Sequence, residues 1–240
     1  MTLLAAMLNA AIAGLSADQI AESLRLHAWS EPQLAVLQTQ LNTDVITPVK
    51  EAFTMQAVAT FRALERVPSA GLVKRSVLGG LCPRGWGYQR MAARVRLNFD
   101  QAASLHTGMS PGKIEASRAQ AQALEHWTAY TFVVSLGQPD FARACQVAAR
   151  QQTAVNQALI ACALERHRLA NGHYPENLEA LVPRFLDSIP EDVIGSAPPH
   201  YRRGDDSTFV LYSIGWSGRD HGGVRSASPA DTAADWVWPG

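Results

Sequence analysis

The chain has 240 residues, enough for one large domain or two small ones and enough to bury a core. With 47% hydrophobic and 18% charged residues, wholesale disorder is excluded. Its 21 basic and 21 acidic residues cancel, which argues against a nucleic-acid binder driven by overall charge.

In chain order, Met1 to Leu15 is apolar and Ala-rich but carries no Lys or Arg. It makes a poor signal peptide and reads as an ordinary helix. No run of 18 apolar residues occurs, so no membrane span is expected. Ser16-Ala17-Asp18-Gln19 and Ser30-Glu31-Pro32-Gln33 both fit the capping box, in which a hydroxyl meets an orphan N–H and the Gln reaches back. After the second, Leu34, Leu37 and Leu41 recur at helical spacing. A longer helix is expected from about Pro48 to Arg66, burying Phe53, Val58, Phe61 and Leu64. Pro68, Gly71, Gly79-Gly80, Pro83, Gly85 and Gly87 then punctuate a long loop, and helical signals resume near Tyr88 and after Ser110-Pro111.

Pro139-Asp140 opens the main helix. Phe141, Cys145, Ala148, Val155, Leu159, Cys162 and Leu169 form its apolar stripe, interrupted by Gln152 and Arg166. Asn171-Gly172 is the expected stop, since both residues tolerate a left-handed backbone. Short segments follow. Tyr174-Pro175 starts a short helix, Gly204-Asp205-Asp206 turns a hairpin between strands near Tyr201 and Phe209, and Asp235 to Trp238 adds a short third strand. The expected class is therefore α+β, with a helical region over 1–138 and a long helix plus a small antiparallel sheet over 139–240. Cys145 and Cys162 lie 17 residues apart on one helix, about 25 Å, too far for a mutual disulfide. With Cys82 they read as small core residues.

Several blocks together carry a resemblance. They are Asn171-Gly172-His173-Tyr174-Pro175, Leu178 to Pro183 with its Leu-x-x-Leu-Val-Pro pattern, Pro190-Glu191, Leu211-Tyr212-Ser213-Ile214-Gly215, and Asp235 with Trp238. In this order they resemble the C-terminal domain of the major pseudopilin of type II secretion, over about a third of the chain. The order of parts is also similar to that of bacterial proteins that place this domain behind a long helical region, with segments such as His27-Ala28-Trp29 and Pro83-Arg84-Gly85-Trp86. The resemblance implies an assembly module of the cell envelope or periplasm, whose partners are other envelope or secretion-type proteins or a second copy. A cytoplasmic place stays open. It also implies a calcium ion in the loop after Gly215, held by carbonyls and carboxylates as that hard cation requires. Asp235 matches one family carboxylate. Ser217 stands where the other is expected, so Asp220 and Asp231 are the substitutes. The leader and long apolar helix that begin a pseudopilin have no counterpart here, and a pilus-like polymer of this chain alone is not expected.

Other chemistry is weakly signalled. Gly215-Trp216-Ser217-Gly218-Arg219 departs from the hydrolase nucleophile elbow at Arg219 and reads as a turn. The seven histidines are scattered, and His167 and His173 are not spaced for zinc. Each reads as a surface or partner-contact residue. Glu165 with Arg166 or Arg168 reads as a helix-surface ion pair. Arg62 to Arg96 holds eight basic residues and one acid, Glu65, and with Trp86 and Tyr88 is the one stretch suited to single-stranded nucleic acid. Trp216 and Trp238 are expected at a partner surface. The favoured function is a non-enzymatic envelope interaction or assembly protein. The alternative is a hydrolase-type enzyme with its site between the helical region and the small domain.

Overall fold

A computed structural model describes residues 2–66, 93, 96, 110–124, 141–204, 208–225 and 234–239. The expected loop from Val67 to Gly87, most of the basic region Arg62–Arg96, the pair Asp205-Asp206, Asp231, Cys82, His106 and His126 lie outside the described residues.

The described helices are α1 (Leu3–Arg25), α2 (Glu31–Leu41), α3 (Ile46–Arg66), α4 (Pro111–Leu124) and α5 (Phe141–Asn171). A 3-10 turn (Leu178–Leu181) leads to strands β1 (His200–Arg203), β2 (Phe209–Ser213) and β3 (Trp236–Val237). The fold is α+β, as expected.

Thr2 caps α1 by accepting the Ala5 N–H at 3.3 Å. The helix then runs straight through Ser16, which was expected to start a new one. The Ser16 hydroxyl instead donates back to the Ile12 carbonyl at 3.0 Å, because no residue between Met7 and Ser16 breaks the helix. The second capping box is present: the Gln33 carbonyl oxygen accepts the Ser30 N–H at 3.0 Å. Asp44 caps α3 by accepting from Ile46 and Thr47.

Helix α5 is the spine. Ala158 and every residue from Ile160 to Glu165 are buried, because α1, α2 and the sheet surround this part of the helix. The two interruptions in its apolar stripe are cross-links. Gln152 accepts the Val45 N–H at 2.7 Å, and Arg166 donates to Gln38 and Glu31. Gln38 in turn donates to the Phe185 carbonyl, so α2, α5 and the segment after the 3-10 turn are tied at one point.

Gly172, at φ +82°, ends α5 at the expected Asn-Gly stop. β1 pairs antiparallel with β2, with Tyr201 opposite Leu211, and β2 pairs with β3, with Ser213 opposite Trp236. Gln157 of α5 donates to the Trp236 carbonyl at 2.7 Å and holds β3 against the spine. One core cluster joins Leu24, Leu34 and Leu164 to Tyr174, Leu211 and Trp238, and a second joins Val49, Ile114 and Cys145 to Trp216 and Trp236. The helices and the small sheet thus share both clusters.

Helix α1 is built inside out. Its small residues Ala6, Ala10, Gly14, Ala17 and Ala21 are buried, and of its large ones Leu24, near the C-terminal end, joins them. Leu4, Leu8, Ile12 and Leu15 are 80, 59, 53 and 64% exposed, and their spacing of four, four and three puts them on one outer face. By length and composition alone α1 is also long and apolar enough to cross a membrane, although polar residues interrupt its apolar runs.

Candidate functional site

Glu165 falls on the apolar stripe of α5, three residues after Cys162 and four before Leu169. It is 2% exposed. Burying an unpaired carboxylate there would be prohibitive, so the fold must supply donors. Arg168, one turn on, forks onto it, with Nε 2.9 Å from Oε2 and one terminal nitrogen 2.7 Å from Oε1. His27 follows α1 in a left-handed conformation (φ +48°) and points Nδ1 at Oε1, 3.0 Å away. The Tyr174 hydroxyl, placed by the Tyr-Pro turn, donates to Oε2 at 2.9 Å. Four donors fill the four lone-pair positions of the carboxylate.

Burial on its own would raise the Glu165 pKa. The bonds from Arg168, His27 and Tyr174, with the Arg168 charge, outweigh it and hold the carboxyl below its usual range. Burial and the neighbouring carboxylate push the Tyr174 phenol well above its ordinary value. Burial, then Glu165, pushes the Cys162 thiol up to about 12, which leaves it unreactive. The surface ion pair expected at Glu165 is therefore a buried four-donor network. His167, expected at the surface, is buried too, with Nδ1 donating to the His173 carbonyl at 2.9 Å.

A cavity of about 310 Å³ opens beside Glu165. Leu24, Phe209 and Trp238 give it apolar walls, and Arg25, His27, Glu165, Tyr174 and Thr208 its polar ones. It lies between α1, α5 and the sheet, where the enzyme alternative places its site.

The second candidate region is the loop after β2. The expected turn is present, with the Gly218 N–H donating to the Gly215 carbonyl at 3.2 Å and both glycines at positive φ. Asp235 is buried, and it accepts the His221 N–H at 3.1 Å, the Gly223 N–H at 2.8 Å and His221 Nδ1 at 3.3 Å. Asp220 accepts the Gly222 N–H at 2.7 Å and the Tyr212 hydroxyl at 3.2 Å. The Gly222 N–H leads in holding the Asp220 carboxyl below its usual value; slight burial opposes it, and Tyr212, His200 and His221 help. Calcium needs oxygen ligands with free lone pairs, whereas this loop turns N–H donors onto both Asp235 oxygens. As arranged, Asp235 has no lone pair free for the ion, while Asp231 lies outside the described residues. Among the described residues no three His, Cys, Asp or Glu side chains gather to hold a metal.

Trp216 and Trp238, expected at a partner surface, are each 5% exposed and belong to the core. Trp216 donates its indole N–H to Glu115 of α4 at 3.1 Å. Trp238 shares a core cluster with Leu24 and Leu164, because its backbone N–H bonds to the Leu211 carbonyl at 2.8 Å and extends the sheet edge toward α1. The residues that sequence reasoning missed are Glu165, His27 and Tyr174 as a unit. A charged residue on the buried stripe of α5 was the available signal. No protein-family model, curated protein or solved structure matches this chain.

Proposed function

We propose that this chain is a non-enzymatic interaction or assembly protein of the bacterial envelope, carrying a pseudopilin-like C-terminal domain. The observation that supports it most is the outer face of α1, where four large apolar side chains stand in solvent on a helix whose small residues are packed inward. A contiguous apolar patch of this kind marks an interaction surface more often than it marks a solvated one. Its partner is an apolar surface of another envelope protein or of a second copy. Sedimentation velocity of the protein, alone and with phospholipid vesicles, tests this against the double variant Leu8→Gln/Ile12→Gln. Association by the parent that the variant loses is the expected result. A parent that stays monomeric, ignores vesicles and behaves like the variant would sink the reading.

Calcium enters this proposal only by exchange: the ion would have to displace the His221 and Gly223 N–H groups from Asp235.

One observation favours the hydrolase alternative. His27 is oriented by a buried carboxylate at a cavity between helices and sheet, the relation that prepares an imidazole as a general base. The described cavity lining offers the Thr208 hydroxyl or a bound water as the nucleophile. Turnover of activated esters that disappears in His27→Asn would establish it, and inert protein would remove it.

A further inference from the structure

We infer that the cavity beside Glu165 is a binding site for a small organic anion, a carboxylate on an apolar body. The inference stands apart from the assembly reading and uses a different surface.

The cavity volume, about 310 Å³, lies at the lower end of the range for small-molecule sites. Its apolar half is formed by Leu24, Phe209 and Trp238, which offer an aliphatic face and two ring systems. The polar half decides the sign of the ligand. A carboxylate in a cavity with aromatic walls would ordinarily select a cation. Glu165 is already saturated: Arg168 takes two positions, His27 one and Tyr174 one, so no lone pair is left for an ammonium group.

Among the charged groups, the one that retains capacity is a donor, Arg25. Arg25 lines the cavity with its side chain 57% exposed, and its contact with Glu22 is a single 3.4 Å bond in solvent, which an incoming carboxylate can replace at little cost. His27 is 44% exposed and spends its Nδ1–H on Glu165; Nε2 donates to a ligand carboxylate only in the imidazolium form, so Arg25 carries the selection for an anion. A carboxylate at Arg25 would place its apolar body against Trp238 and Phe209. A guanidinium beside an aromatic-walled slot suits a planar carboxylate, which it can grip with two parallel bonds.

The test is calorimetry with three probes of one shape: 4-phenylbutyrate, its amide and 4-phenylbutylamine. Arg25→Gln and His27→Asn serve as variants, since both side chains reach solvent and Asn accepts the left-handed backbone at position 27. The acid should bind, the amide about tenfold more weakly, and the amine not measurably. Arg25→Gln should weaken the acid about tenfold while the melting temperature stays at the parent value. Amine binding as tight as acid binding would overturn the assignment, because Glu165 would then govern the site. So would equal affinity for acid and amide, acid binding untouched by both variants, or no binding of any probe at about 5 mM, a level that still reveals weak sites.

Discussion

Glu165→Gln is the sharpest test of how this molecule is held together. The substitution keeps shape and volume, but it removes the charge and turns an NH2 group toward donors. Arg168 and Tyr174 are then left facing a site that can satisfy only part of their bonding. Breaking a buried ion pair from one side costs about 3–5 kcal/mol. The Arg168 side chain is 22% exposed and can turn partly to water, which points to the lower end, about 3 kcal/mol. For a chain of this length that lowers the melting temperature by about 6–12 °C. Tyr174→Phe removes one donor to a charged acceptor and leaves three, so it should cost about 1.5 kcal/mol. The double variant should cost less than the sum, since Tyr174 loses much of its value once the charge is gone. Urea denaturation at neutral pH, with the parent and three variants side by side, measures all of this. A loss below about 1 kcal/mol for Glu165→Gln would restore the exposed ion pair suggested by sequence and refute the network.

Acid should act through the same carboxyl. Its pKa is depressed in the folded state, so its stabilisation is complete above the ordinary Glu value and is lost as pH falls through the depressed one. Acid titration followed by circular dichroism should show the parent losing stability over that interval more steeply than Glu165→Gln, and parallel curves would contradict the assignment. Gly215→Ala should destabilise by about 2 kcal/mol, because φ is +63° and an added Cβ would meet the Ala234 carbonyl oxygen at 2.5 Å; unchanged melting would show that the loop closes differently. In melts with excess calcium and with chelator, a calcium-dependent rise that vanishes in Asp235→Ala is the outcome the ion-exchange proposal requires. Coincident curves would leave Asp235 as a purely hydrogen-bonded clasp.

Local signals in the sequence were sufficient for much of the fold. The Asn171-Gly172 stop, the Ser30–Gln33 cap, the hairpin of β1 with β2 and the short third strand all depend on backbone preferences of neighbouring residues, which a linear reading contains. The Gly215–Gly218 turn belongs with them. The same reasoning failed at Ser16, where a capping pattern in the middle of an uninterrupted helix has no free N–H to cap.

What only the tertiary structure decided are the consequences of burial. Whether Glu165 is a surface charge or a buried hub depends on His27, 138 residues earlier, and on Tyr174 beyond the turn. Whether Trp216 and Trp238 face a partner or the core depends on α4 and α1 covering them. The apolar face of α1 is informative for the same reason: hydrophobicity can be counted along a chain, but the side that α5 leaves uncovered is set by three-dimensional packing.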